Sequence, residues 1–215
     1  MADWVTISAL ATAGGTLVLA GATFSSVRSA HASTRVTERA LLAQIRPLLV
    51  PTRPQDPAEK ISFLDEHWIR PEGGRATLEV TPDVIYMGFG VRNVGSGLAV
   101  LDSWDLHPDF EPNTPRRDPD EFRRLSRDLY IAGGDQGFWQ GALRDPDDPL
   151  FAQTADAIKT RRRFGVDVLY GDLEGGQRTI SRFGFWPYGD DVWLMTATRH
   201  WNLDTSAPRA DPDDF

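Results

Sequence analysis

The sequence predicts a mainly β protein, with one antiparallel β domain behind an amino-terminal helical anchor. Three observations support this prediction. The chain has 215 residues, of which 40% are hydrophobic and 25% charged, as in a folded domain with a sizeable core. Residues 4–27 form a stretch of 24 residues without a formal charge. After Pro47, short runs of alternating apolar and polar residues are separated by Gly, Pro and Asp.

The uncharged stretch is long enough for a transmembrane helix, because a bilayer core needs about 20 predominantly apolar residues. Residues typical of such a span recur along it: Trp4, Leu10, Gly15, Leu19 and Phe24. A cleavable signal peptide is the alternative, since Ala30-His31-Ala32 has the form of a cleavage site. No basic residue precedes the stretch, however, and it is longer than the roughly 7 to 15 residues of a signal core. The sequence therefore favours a retained membrane span.

A juxtamembrane amphipathic helix is predicted to follow the span, up to residue 46. Its arginines recur at spacings of 7, 4 and 7, which place them on one stripe of a helix: Arg28, Arg35, Arg39 and Arg46. Such a helix can continue the span into the cytoplasm or lie along the headgroups, with the stripe in solvent or near anionic lipid. By the positive-inside rule, these charges place the β domain in the cytoplasm and the amino terminus outside a bacterial inner membrane.

The first part of the β domain, which spans residues 47–204, is predicted to contain a hairpin. Residues 84–94 and 98–106 alternate in polarity and are joined by Gly95-Ser96-Gly97. Residues 108–128 are rich in Pro and Arg and predict a long exposed excursion, followed by short strands at 129–131 and 138–143.

The second part begins with a short helix over residues 149–160, since Asp148-Pro149 is typical of a helix start. Two hairpins follow, formed by residues 164–170, 177–186 and 192–201. Six or seven antiparallel strands with one helix predict an immunoglobulin-like β-sandwich. Residues 205–215 are expected to form a disordered acidic tail.

Three motifs resemble those of a family of small, poorly characterised bacterial membrane proteins: Arg46-Pro47, Asn93-Val94-Gly95-Ser96-Gly97 and Tyr170-Gly171-Asp172-Leu173-Glu174-Gly175. These proteins have one amino-terminal membrane helix, a basic segment ending in Arg-Pro, and a β-sandwich. The resemblance implies a membrane-anchored β domain and no specific activity. The 21 arginines against 2 lysines are typical of a GC-rich genome, such as an actinobacterial one.

Candidate chemistry is sparse. The absence of cysteine excludes disulfides and thiolate sites, and the net charge of −8 argues against nucleic acid as a partner. One polar cluster stands out: Asp105, His107 and Asp109 share one face of a strand. Such a set suits a metal ion or acid–base catalysis, but at the end of a strand it is more typical of a solvated edge. We therefore predict no catalytic residue, metal or cofactor.

The resulting functional hypothesis is a membrane-anchored interaction module that acts as an adaptor or scaffold at the cytoplasmic face. Its expected partners are membrane lipids and a protein, with homo-oligomers as an option through small residues in the span. The first alternative is an exported or surface-exposed recognition domain, and the less favoured alternative is a membrane-tethered metal-dependent enzyme. The charge distribution favours the anchor, because residues 1–50 carry +2 and residues 51–215 carry −10.

Overall fold

A computed structural model describes residues 44–111 and 114–204. It also describes seven helical, exposed positions before them: Thr23, Phe24, Ser26, Arg28, Thr37, Ala40 and Leu41. The remaining predicted span residues, Arg35 and Arg39 of the stripe, and the tail 205–215 lie outside the described residues. Within the described part, no helix has the length and hydropathy needed to cross a membrane. The chain divides into two units, Met1–Ala43 and Gln44–Phe215, and the second contains all of the described strands.

The described residues of the second unit contain eleven strands and an α-helix of eleven residues. In chain order they are β1 (Leu49–Pro51), β2 (Ile61–Ser62), β3 (Trp68–Ile69), β4 (Arg75–Val80), β5 (Ile85–Asn93), β6 (Ala99–His107), β7 (Arg123–Ile131), β8 (Gln136–Leu143), α1 (Pro149–Lys159), β9 (Phe164–Gly171), β10 (Arg178–Tyr188) and β11 (Val192–Asn202). A 3-10 turn, Pro119–Glu121, precedes β7.

Nine of these strands form one antiparallel sheet. Its order is β8-β5-β4-β11-β10-β9-β6-β7, and β1 pairs with the Val91–Asn93 end of β5 beside β4. β2 and β3 form a separate two-stranded ribbon. The mainly β, antiparallel prediction is confirmed. The arrangement differs from the predicted immunoglobulin-like sandwich, because one continuous sheet replaces two facing sheets.

The sheet curls around its own core. The ring centres of Phe89 on β5 and Phe183 on β10 are 5.1 Å apart. The two strands are three places apart in the sheet and would be about 14 Å apart if the sheet were flat. Bulges between Leu101 and Ser103 in β6 and at Arg182/Phe183 in the β10–β11 pairing bend the strands. The α1 helix packs into the same core through Phe151, Ala155 and Ala157.

The hairpin predicted around Gly95-Ser96-Gly97 does not form. β5 pairs with β1, β4 and β8, whereas β6 pairs with β7 and β9. The glycines serve a close backbone contact instead: a Cβ on Gly97 would overlap the Ile45 carbonyl oxygen. The segment at the start of the domain, residues 45–48, therefore packs against the glycines that were expected to form a tight turn.

The predictions for the second half of the domain hold in outline. β9 pairs with β10 and β10 with β11, both antiparallel. α1 begins at Pro149, and the Asp148 side chain accepts a hydrogen bond from the Leu150 amide. The predicted excursion is shorter than residues 108–128, since β7 already begins at Arg123.

Candidate functional site

A row of charged residues crosses the face of the sheet that points away from the core. Asp105 on β6 is opposite Asp167 on β9, which is opposite Arg182 on β10. His107 lies two residues after Asp105, on the same face. Asp167 lies on this outer face because its neighbours Val166 and Val168 point into the core. We call these four residues the polar cluster.

The cluster is buried and closely paired. Arg182 forms a bidentate ion pair with Asp167, donating from Nε to Oδ1 at 2.6 Å and from Nη2 to Oδ2 at 2.7 Å. His107 Nε2 lies 3.0 Å from Asp167 Oδ2 and 3.6 Å from Asp105 Oδ2. Neither Asp167 nor Arg182 is exposed to solvent. The buried charges of Asp167 and Arg182 therefore stabilise each other, because an unpaired buried ion is strongly destabilising.

The two carboxylates respond differently to burial. Burial alone would raise the pKa of Asp167, but the hydrogen bonds from Arg182 and His107 hold that pKa below its usual value. Burial raises the pKa of Asp105, against the opposing attraction of His107 and Arg117. One oxygen of Asp105, Oδ2, is buried without a hydrogen bond. Of the two carboxylates, Asp167 is therefore the one that favours the ionised form.

A strap of chain, residues 108–111 and 114–118, covers the cluster. Arg182 donates hydrogen bonds to the carbonyl oxygens of Thr114 and, at 3.4 Å, of Pro115. Arg117 donates to Asp105 Oδ1 at 3.1 Å. The Phe110 ring packs on Gly165, where a Cβ would lie 2.5 Å from it. The strap is thus attached to the sheet by the cluster itself.

The structure brings together two of the three residues singled out in the sequence. Asp105 and His107 are members of the cluster, but Asp109 is exposed and forms an ion pair with Arg162 at 3.0 Å. Sequence reasoning missed Asp167 and Arg182. A signal for Asp167 existed, since it is the one charged residue in the predicted strand 164–170, whose other residues are apolar or aromatic, and a buried charge requires a partner.

The geometry of the cluster indicates a structural role. Within the described residues, no group of three His, Asp or Glu side chains is arranged to hold a metal ion. The Arg182 guanidinium already neutralises Asp167, and the strap separates the cluster from solvent. The cluster therefore connects the strap to the sheet through paired and hydrogen-bonded charges.

A groove opens on the same outer face beside the strap. Its volume is about 620 Å³, within the range of ligand pockets. Its floor contains Ser103 and Leu169, one wall is the Pro119–Glu121 turn with Phe122, and the opposite wall is the β9–β10 loop at 172–175. The exposed Leu173 lies at its rim. We call this feature the outer groove.

The three motifs that support the family resemblance meet at the segment 45–49. Asn93 Oδ1 accepts from the Leu48 and Gly95 amides at 3.1 and 3.0 Å, and its Nδ2 donates to the Gly97 and Ile131 carbonyls. The Asn93 side chain thus connects the Leu48 amide of this segment to the β5–β6 connection and to the end of β7.

The other two motifs contact the same segment. The Leu49 amide donates to the Tyr170 hydroxyl at 3.1 Å, inside the domain. Arg46, the last residue of the predicted stripe, forms an ion pair with Asp204 at 2.5 Å. The motif residues therefore fasten the start of the domain to its sheet and to its carboxyl end.

Comparisons with known proteins give no assignment. No protein-family model and no curated protein matches the sequence. Among solved structures, a protein from Archaeoglobus fulgidus matches with a TM-score of 0.25 and 12% identity, over 62% of this chain and 95% of that chain. A Bordetella pertussis protein assigned as ApaA matches with a TM-score of 0.21 and 11% identity, over 74% and 100%. A β-glucosidase from Kluyveromyces marxianus has a TM-score of 0.19 and 12% identity, over 65% and 15%. Scores this low establish no shared fold, so any function must be argued from the residues of this chain.

Proposed function

We propose that the protein is a membrane-anchored interaction module, in which the β domain binds a protein partner at the cytoplasmic face of a bacterial inner membrane. The outer groove is the observation that supports binding. It is an open concavity with charged side chains on both walls and the exposed Leu173 at its rim. Grooves with such an apolar contact beside polar groups are typical of recognition sites.

The attachment of the segment 45–49 supports a tethered role. Asn93, Tyr170 and Asp204 hold this segment through hydrogen bonds and an ion pair. These contacts fix the start of the domain to its sheet, as a tethered domain requires. The polar cluster offers no comparable support for catalysis, because its most buried carboxylate, Asp167, is neutralised by Arg182 under the strap.

The orientation of the domain is tested with a single cysteine, since the chain has none of its own. Asp190 lies in the exposed β10–β11 turn, so D190C should react with a membrane-impermeant maleimide only after the cells are permeabilised. Val168→Cys, at a buried core position, is the control and should react only after denaturation. Labelling of D190C in intact cells would contradict the cytoplasmic assignment and favour an exported recognition domain.

Partner binding at the outer groove is tested by placing a photoreactive amino acid at Leu173. Tyr188 provides the matched control, since the two side chains are 70% and 66% exposed but only Leu173 lines the groove. We expect a discrete crosslinked protein from Leu173 and none from Tyr188. Equal crosslinking at both positions, or none at either, would refute partner binding through this groove.

A further inference from the structure

We propose that the outer groove is a binding site for a basic segment of a protein partner, with a lysine or arginine side chain inserted between its walls. This inference rests on the proposed function and adds the chemistry of the partner. It follows from three features of the groove: its charge, a buried hydroxyl in its floor, and the donors at its margin.

The charge of the groove favours a cation. Four carboxylates line it, from Asp102, Asp120, Asp172 and Glu174, against the two guanidinium groups of Arg124 and Arg178. Among the described residues, none of these four carboxylates belongs to an ion pair, whereas Asp105 and Asp167 of the cluster next to the groove both do. Asp172 Oδ1 accepts a hydrogen bond from the Gly176 amide at 2.8 Å, but the groove is an acidic site in which none of the four carboxylates is neutralised by a described cation.

A hydroxyl in the floor provides a second, independent observation. Ser103 is 2% exposed, and its Oγ has no hydrogen-bond partner. Leaving such a group unpaired costs free energy, so its presence at the floor of a groove points to a partner supplied from outside. An ammonium group has three donors, which can reach a hydroxyl oxygen and carboxylates together.

The walls provide room and direction for the partner. The acidic groups come from both sides: Asp120 belongs to the 3-10 turn, and Asp172 and Glu174 to the β9–β10 loop. Arg124 and Arg178 are exposed and can donate to main-chain carbonyl oxygens of an extended segment. A volume of about 620 Å³ accommodates a long basic side chain together with its flanking backbone.

The test uses the full chain in detergent and three labelled eight-residue peptides, in which glycine alternates with lysine, glutamate or serine. Fluorescence anisotropy should show binding of the lysine peptide only, with an affinity that falls as salt is raised. In the variant D120K/E174K the affinity should fall about tenfold or more, because two ion pairs with the peptide are lost and repulsion is gained.

The matched control is D83K/D191K, which makes the same change in net charge at two exposed aspartates outside the groove. Its affinity for the lysine peptide should stay within about twofold of the original, because neither aspartate lines the groove and salt screens exposed charges. Equal weakening in both variants would show attraction to the overall acidic domain and overturn the site. Failure of all three peptides to bind would also overturn it, while crosslinking at Leu173 would still support the proposed function.

Ser103→Ala separates the role of the hydroxyl from that of folding. Because Ser103 Oγ is buried and unpaired, S103A should unfold at a higher temperature than the original chain. The same variant should bind the lysine peptide several-fold more weakly, since a charged hydrogen bond is lost. Unchanged affinity in S103A would refute an inserted basic side chain that reaches the floor of the groove.

Discussion

Arg182 is the residue on which the outer face depends most. Its side chain pairs with Asp167, contacts two carbonyls of the strap and lies 4.9 Å from the centre of the Trp201 ring. A fully buried guanidinium is tolerated only because each of these contacts replaces lost hydration. Phe110, which packs on Gly165, and Arg117, which donates to Asp105, also connect the strap to the sheet.

Asp167→Asn should therefore destabilise the domain strongly, by about 3–5 kcal/mol, because it leaves Arg182 buried without its counter-charge. The double variant D167L/R182M should cost less than D167N alone, since it removes both charges. Urea unfolding followed by tryptophan fluorescence measures both. As a control, Asp109→Asn should produce no measurable change, because the Asp109–Arg162 ion pair is exposed. A D167N protein as stable as the original would contradict the assigned role of the ion pair.

Asp105 should make stability fall as the pH rises. Burial raises the pKa of Asp105 in the folded state, so the folded protein binds the proton more tightly than the unfolded chain does. This contribution is present below the unfolded pKa of about 3.9 and is lost as the pH rises through the folded value. The free energy of unfolding of Asp105→Asn relative to the original should thus increase from about pH 4 upward. Denaturant titrations across this range check the sign, and a relative decrease would show that Asp105 is stabilised as an anion.

At the scale of the elements, the contact between segment 45–49 and the β5–β6 connection determines how the first strands are arranged. Gly97→Ala should destabilise the domain by about 1–3 kcal/mol, because the new Cβ would overlap the Ile45 carbonyl and force the chains apart. Gly176→Ala is the matched control, since its Cβ would meet only Asp172 Oδ2 at 3.7 Å. Thermal unfolding of the two variants gives the comparison. Equal melting temperatures would show that the contact is not needed for the fold.

The extent to which the sequence predicts this fold differs between local and distant contacts. α1 and the β9–β10–β11 hairpins follow from signals within a few residues: a capping Asp-Pro and period-2 runs with glycine turns. The prediction of a β5–β6 hairpin was wrong because Gly97 contacts Ile45, which is distant in sequence. For the same reason, the sequence indicated only two of the four residues of the polar cluster, Asp105 and His107. Arg182 meets His107 across 75 positions of the chain, and only the strand register reveals such a pairing.

For the whole molecule, the distribution of charge is the feature that connects the β domain to the proposed anchor. The β domain and tail carry −10, while residues 1–50 carry +2 through four arginines. One of these, Arg46, is neutralised by Asp204 within the domain. The remaining arginines of the stripe, Arg28, Arg35 and Arg39, are then the charges available to set orientation at a membrane.

Moving these charges should therefore reverse the orientation of the chain. In the variant A2K/D3K/R28Q/R35Q/R39Q, combined with the D190C reporter, the basic side of the predicted span becomes the amino-terminal side. We expect the maleimide to label the reporter thiol in intact cells, where the original topology protects it. Removing three exposed charges from the domain instead, in R53Q/R70Q/R116Q, should leave the protection unchanged, because charges far from a span contribute little to orientation. Protection of the reporter thiol in both variants would show that these arginines do not determine topology, and equal labelling in both would attribute the reversal to net charge rather than to position.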